Sequence, residues 1–440
     1  MGFFSSATKE QKITEEELEE AELHKKYKEF TDAELRNVAK GMYQYNTMQT
    51  ARSLHQDIKD RNTEKIKNSK ETVLNTIRER LTKPLLSGYT LTKEQANRVI
   101  ELVKSLAWGY GILDPLIADD SISDIKIYSA KDIRIKRNGQ REAANVAFDS
   151  EEDCRNFITR ILERNGINLG ASNANQTFTD SSQKQAILRI SVISELLCDS
   201  KKPCMAIRKI EKQKLGLNEL SARGMFGETP REDKDETLKQ IASSFVIDNP
   251  VLSDLIPKFV MSKGLLFTGK GASGKTTFMN ALLDLIPHDE SIMICQENSE
   301  LFVKNHPDCL CTHVDVNGGD SKISYTLGDL TRMGLLIDLD RIIVGEVKQA
   351  DEAAGLSKAS LTGHKCWTSV HGENCDMAID KMADYISQAN RNYSFADCLS
   401  MLQGFEYVIH LRKFQIDEVV HITGWDRKNE TLIKETVYKI

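Results

Sequence analysis

The stretch Gly264–Asp284, GLLFTGKGASGKTTFMNALLD, decides how the rest of the chain is read. Leu265, Leu266, Phe267 and Thr268 make a short apolar run, the pattern of a buried strand. A glycine-rich loop follows, and an amphipathic helix is expected from about Lys275. Gly269, Gly274, Lys275 and Thr276 satisfy G-x-x-x-x-G-K-[ST]. Glycines let the backbone turn tightly and aim several N–H groups at one point. The helix N-terminus adds its partial positive charge there. The candidate phosphate cradle is therefore Gly269, Gly271, Ala272, Ser273, Gly274, Lys275, Thr276 and Thr277. Lys275 reaches the β- and γ-phosphates of ATP, and the Thr276 hydroxyl faces Mg²⁺. A chance match of the four fixed positions arises in roughly one chain in a hundred of this length. The strand before and the helix after lower that further.

Working outward, the chain has 440 residues, enough for two or three domains with real cores. Hydrophobic residues make up 40% and charged residues 28%, a soluble globular balance. A net charge of −6 offers no electrostatic case for nucleic acid or anionic lipid. No apolar run approaches the ~20 residues that span a bilayer. The opening MGFFSSATKEQ lacks a signal-peptide pattern. Gly2 and Ser6 fit the loose myristoylation motif, but a plain cytoplasmic start is the simpler reading. Nine scattered cysteines without a CxxC pair suit a reducing compartment. Cys309 and Cys311, in an alternating strand-like stretch, read as packing rather than as metal ligands.

Residues 1–106 read as a polar, helical N-terminal extension. EEELEEAELHKKYKEF (15–30) has the acid-then-base order favoured in a helix. It is either a solvated face or a docking arm. Residues 107–212 read as a small α+β domain. Its strands are ISDIKIYS, the runs on either side of Asn138-Gly139, AILRISVIS and PCMAIRKI, with a helix in EEDCRNFITRILERNG. Residues 213–250, including FGETPREDKDET, read as a linker that lets the small domain swing over the phosphate loop. In 251–440 strands alternate with helices, implying a mostly parallel sheet covered on both faces. The tail reads as three antiparallel strands.

A phosphate loop needs a second, carboxylate-bearing strand to complete a hydrolysis site. RIIVGEV (341–347) ends in Gly345-Glu346, and ligands of open parallel sheets collect at strand C-terminal ends. Glu346 is the candidate to position or deprotonate an attacking water. ICQENSEL supplies Gln296, Glu297 and Glu300. His364 and His371 flank KCWTSV, where either sensing of phosphate or a structural role is open.

These motifs, in the order Gly269–Thr277, ENSEL, RIIVGEV and TGH…TSVH, resemble the Walker A, Asp box, Walker B and His box of the type II/type IV secretion and pilus-assembly ATPases. The Tad-pilus (CpaF-like) branch is the one most resembled, from GYGILDPLIADDSISDI (109–125) to the last strands. The resemblance implies a RecA-like P-loop NTPase domain of α/β class after a small α+β domain. It implies a cytoplasmic motor at the membrane's cytoplasmic face, a homo-oligomer of hexameric form, and an inner-membrane platform as partner. By position, Lys275 and Thr276 hold phosphate and Mg²⁺, and Glu346 is the catalytic base. Glu297 and Glu300 match the Asp-box acids, with Glu297 near the metal. His364 and His371 match the His box. Arg189 and Arg208 match small-domain arginines that approach the nucleotide. Three departures stand out: Gln296 where an acid is usual, Leu336 and Asp338 where arginines are usual, and Lys348 for the arginine after Walker B. Arg332, one turn earlier, is a candidate substitute for those arginines. A RecA-type DNA translocase and a nucleotide-binding scaffold with weakened catalysis are the competing readings.

Overall fold

The computed structural model describes residues 28–43, 63–85, 87–183, 186–212, 216–222, 224–227, 234–314 and 325–440. The Gly2/Ser6 pattern and nearly all of 15–30 lie outside them. The chain divides into two compact units, Met1–Pro115 and Leu116–Ile440.

In the first unit, helices at 32–43, Thr63–Leu81 and Lys93–Trp108 share a core of Leu35, Ala39, Ile77, Leu81, Val99 and Val103. The third starts at Lys93, directly after its cap residue Thr92. The Thr92 hydroxyl accepts from the Gln95 N–H and the Gln95 amide bonds back, a capping box.

The second unit holds two sheets. The smaller is antiparallel throughout, in the order β3-β2-β1-β6-β5-β4. Its strands are β1 (Ile122–Ile127), β2 (Ile133–Arg137), β3 (Gln140–Ala143), β4 (Asn175–Asp180), β5 (Ala186–Ile193) and β6 (Cys204–Glu211). Asn138 and Gly139 take φ of 49° and 85°, the two left-handed positions of the tight turn joining β2 to β3. Helix Glu151–Arg164, capped by Ser150, buries Phe157, Ile158, Ile161 and Leu162. Strand β4 has no clear sequence signal, because its NQTFTD is polar and lies at the sheet edge.

The larger sheet runs β14-β13-β12-β7-β11-β10-β8-β9. Strands β7 (Gly264–Thr268), β8 (Ile292–Gln296), β9 (Cys309–His313), β10 (Arg341–Val344), β11 (Lys365–Val370) and β12 (Tyr407–Arg412) are parallel to their neighbours among these six. Strands β13 (Gln415–Asp426) and β14 (Thr431–Lys439) add antiparallel. The first tail strand thus joins the parallel core, and only the last two form an antiparallel extension. Alternate residues along each strand face opposite layers. Leu265, Phe267, Ile343 and Trp367 pack against helices Pro250–Met261 and Lys275–Leu283. Leu266, Ile342, Val344 and Cys366 pack against helices Leu327–Gly334, Ala350–Leu361 and Cys375–Ala389. Helix Lys234–Ser243, inside the expected linker, buries Ile241 in the first of these layers.

The small sheet is docked on the large one. Cys198 forms a bridge with Thr312, and the Asp199 N–H donates to the Cys311 carbonyl at 3.0 Å. The small domain therefore covers the open edge of β9. At the opposite, N-terminal ends of the strands lies a buried ionic seam. Lys126 pairs with Asp308 at 3.3 Å and with the Ser291 hydroxyl. The Tyr128 hydroxyl also reaches Asp308, and burial beside that carboxylate pushes its pKa well up. Arg141 engages Asp338, and Asp340 at 2.9 Å, while Lys136 and Arg208 reach Asp338 at 3.1 and 3.2 Å. Displacing the small domain would part these charges from their partners.

Asp308→Ala leaves the Lys126 ammonium buried and unpaired, so it should cost about 3–5 kcal/mol in urea unfolding. Lys126→Met combined with Asp308→Leu should recover most of that. A loss within the about 0–1 kcal/mol of a surface pair would show that the seam is not what holds the domains together.

Candidate functional site

Strand β7 ends at Thr268, and the loop after it departs from ordinary backbone geometry. Gly269, Ala272 and Gly274 have φ of 143°, 58° and 100°. A Cβ on Gly269 would sit 2.2 Å from the Leu411 carbonyl oxygen and 2.6 Å from Ser273 Oγ, so only glycine fits. The helix begins at Lys275, as the sequence implied. Lys275 Nζ folds back to donate to the carbonyls of Gly269 (2.9 Å) and Lys270 (3.1 Å). Burial pulls its pKa down, with Glu346 opposing. Ser273 Oγ is buried without a hydrogen-bond partner, an orphaned polar atom inside the cradle. A cavity of 580 Å³ opens between Lys270 and Gly271 of the loop, His371 and Gly372 after β11, and Asp380 and Lys381 of helix Cys375–Ala389.

Two strands away, β10 delivers Glu346 to the same edge. The Gly345 N–H donates to the Cys295 carbonyl at 2.9 Å and the Val347 N–H to Ser369 O at 2.8 Å, fixing the backbone on both sides. Glu352 accepts from the N–H groups of Lys348 (2.7 Å) and Gln349 (3.0 Å), pinning the next helix start; burial raises its pKa. His371 Nε2 lies 2.8 Å from Glu346 Oε1, and its Nδ1 lies 3.2 Å from the Gly269 carbonyl. Lys348 Nζ lies 2.5 Å from Glu297 and 3.5 Å from Glu346. The Glu297 hydrogen bond raises the Lys348 pKa. Lys275, Glu346, Glu297, Lys348 and His371 are thus brought together.

His364 is not. It precedes β11 while His371 follows it, so the strand separates them by about 20 Å. Its ring nitrogen Nδ1 lies 3.4 Å from the Thr362 hydroxyl. Arg189 and Arg208 also lie away from the loop within one chain. They face each other across β5 and β6, and Arg208 is held by Asp124 (2.8 Å) and Asp338. Arg189 forms no ion pair among the described residues. Asp338, where an arginine was expected, is one of the acids that anchor the small domain. Arg332 bonds to Asp329.

Gln296 fills a buried place in which its amide is hydrogen-bonded on both sides. It is 2% exposed, and its amide donates to Leu301 O (3.0 Å) and Asp199 Oδ2 (3.1 Å). Its oxygen accepts from the N–H groups of Glu300 (3.0 Å) and Leu301 (2.7 Å). It braces the turn that presents Glu297. Asp199, held 2.6 Å from His313, comes from the small domain and carries no local sequence signal.

The donors on this edge are hydroxyl and carboxylate oxygens, the hard set that suits Mg²⁺. The Lys348 ammonium already lies between Glu297 and Glu346, which marks a place where positive charge is stabilised.

Residues 254–405, which contain β7, the loop, Glu346 and His371, match the family described as Type II/IV secretion system protein. Over 356 residues the chain is 24% identical to MJ0900, an uncharacterized protein of Methanocaldococcus jannaschii, covering 79% of this chain and 58% of that one. It is 23% identical over 267 residues to the type IV secretion system protein VirB11 of Brucella suis biovar 1, covering 58% of this chain and 72% of VirB11. The crystal structure of the Brucella suis VirB11 ATPase in complex with sulphate matches with a TM-score of 0.59 at 20% identity, over 75% of this chain and 97% of that one. The likeness assigns the fold.

Gln296→Glu would set a carboxylate against Asp199 Oδ2 and the Leu301 carbonyl, two acceptors. It should lower stability by about 2 kcal/mol or more and should not raise turnover. Thermal unfolding and ATPase assays check this. A gain in turnover would restore the view of position 296 as a missing catalytic acid.

Proposed function

We propose that the chain is a Mg²⁺-dependent ATPase motor of the type II/type IV secretion and pilus-assembly superfamily, with a RecA-like core. The observation that carries this reading is the convergence of Lys275, Glu346, Glu297 and His371 at one edge of a parallel sheet. That edge lies inside the segment matched to Type II/IV secretion system proteins. The likeness to the VirB11 fold supports it. Loop N–H groups and Lys275 bind the phosphates, Lys275 exchanging its two carbonyl contacts for phosphate oxygens. Glu346 orients and deprotonates the attacking water, held in place by His371. Mg²⁺, when bound at Thr276 and Glu297, neutralises charge on the β- and γ-phosphates.

Arg189 acts in trans, serving the nucleotide of a neighbouring copy in a homo-oligomer, here read as a hexamer, while Arg208 is committed to Asp124 and Asp338 of its own chain. The motor works at the cytoplasmic face on an inner-membrane platform of a secretion or pilus machine, in the manner of the Tad branch. No helix among the described residues is long and apolar enough to cross a membrane. The domain reading is 1–106, 107–212, 213–250 and 251–440.

Lys275→Ala should abolish hydrolysis and weaken nucleotide binding. Glu346→Gln should keep ATP bound while stopping turnover, because shape survives and the base does not. Normal turnover in either variant overturns the site.

Arg189→Ala should slow turnover at least about tenfold, about 1.4 kcal/mol of transition-state stabilisation. Mixing Arg189→Ala chains with Lys275→Ala chains should restore part of the activity, since some sites then pair an intact Lys275 with a neighbour's intact Arg189. Absence of recovery on mixing assigns Arg189 to its own chain.

A further inference from the structure

The turn between β12 and β13 has a feature that stability does not account for. It consists of Lys413 and Phe414, with φ of 51° and 63°. A two-residue turn with both centres left-handed favours Asn-Gly, and a bulky side chain there is strained. Phe414 gains little from burial in exchange, since it is 70% exposed. Yet the turn is fastened to the phosphate loop. The Phe414 N–H donates to the Ser273 carbonyl at 3.0 Å. The Phe414 ring stands 3.0 Å from where a Cβ on Gly274 would lie, so the ring and the loop backbone are in contact only because residue 274 is glycine.

The order of strands says which part of a nucleotide this ring meets. On one side of β7 lie β11, β10 and β8, carrying His371, Glu346 and Glu297. These groups take the γ-phosphate and its attacking water. On the other side of β7 lies β12, and then β13. A triphosphate seated on Lys275 with its γ end toward Glu346 extends its remaining part toward the β12–β13 turn. An exposed aromatic face at that place is a stacking platform.

We propose that Phe414 is a nucleobase platform: its ring stacks on the base of the nucleotide whose phosphates the loop holds. The inference rests on the phosphate-loop reading above and adds the part of the ligand that the loop does not contact. Stacking recognises a flat aromatic base, so Phe414 distinguishes a nucleoside triphosphate from a bare polyphosphate. It is a binding residue, and the chemistry remains with Glu346 and Lys275.

The test is calorimetric titration of the full chain with Mg–ATP and, separately, with Mg–tripolyphosphate. Phe414→Ala should weaken ATP binding by about tenfold or more and leave tripolyphosphate binding unchanged. Phe414→Trp should retain the ATP affinity, because the larger ring keeps the platform. Equal ATP affinity in Phe414→Ala and the unaltered chain overturns the proposal. So does an equal loss for ATP and tripolyphosphate, which would mean that the turn merely supports the loop. In both those cases the unaltered chain still binds tripolyphosphate and the phosphate-loop reading stands. If the unaltered chain binds neither ligand, that reading falls and this one with it.

Discussion

Strand β7 is hydrogen-bonded along both edges, to β11 and to β12, and the position of every group at the site is measured from its last residue, Thr268. The ladder pairs Thr268 with Val370 on one side and with His410 on the other. His371 therefore follows directly beside the loop. The turn at Phe414 closes over it from the far side. Parallel pairing puts the strand ends in one layer, and that alone brings residues more than a hundred positions apart within bonding distance.

A second constraint acts at the other end of the same strands. Lys126, Lys136, Arg141 and Arg208 of the small sheet meet Asp308, Asp338 and Asp340 of the large one. A desolvated network of this kind contributes little net stability, but it is costly to open. It sets one relative position for two sheets that are separated in sequence by the 213–250 segment. The edge that carries Lys275 and Glu346 and the docking seam occupy opposite ends of the sheet.

The charged groups of the site find partners within the chain. Lys275 spends its charge on loop carbonyls, and Lys348 and His371 occupy the carboxylates of Glu297 and Glu346. A bound triphosphate would replace the carbonyls as partner of Lys275, and its metal would compete with Lys348. The departures from the family pattern fall into place on this view. Gln296 fills a buried slot that has two acceptors facing two amide protons. Asp338 is matched by cations from another domain.

The sequence by itself determined the phosphate loop, the parallel strands that surround it, and Glu346 at a strand end. Those follow from local rules: glycine spacing, apolar runs and strand–helix alternation are written in contiguous residues. It also carried the hairpin at Asn138-Gly139 and the helix 151–164. Tertiary structure alone decided the rest. Whether a histidine beside a strand meets Glu346 depends on which end it occupies, and that separates His371 from His364. Whether an arginine on an alternating strand is free depends on acids that arrive from elsewhere, and that separates Arg189 from Arg208. Asp199 bracing Gln296, and Phe414 meeting Gly274, are contacts across long loops of chain. No local pattern encodes them, because they exist only once the sheet has set its strand order.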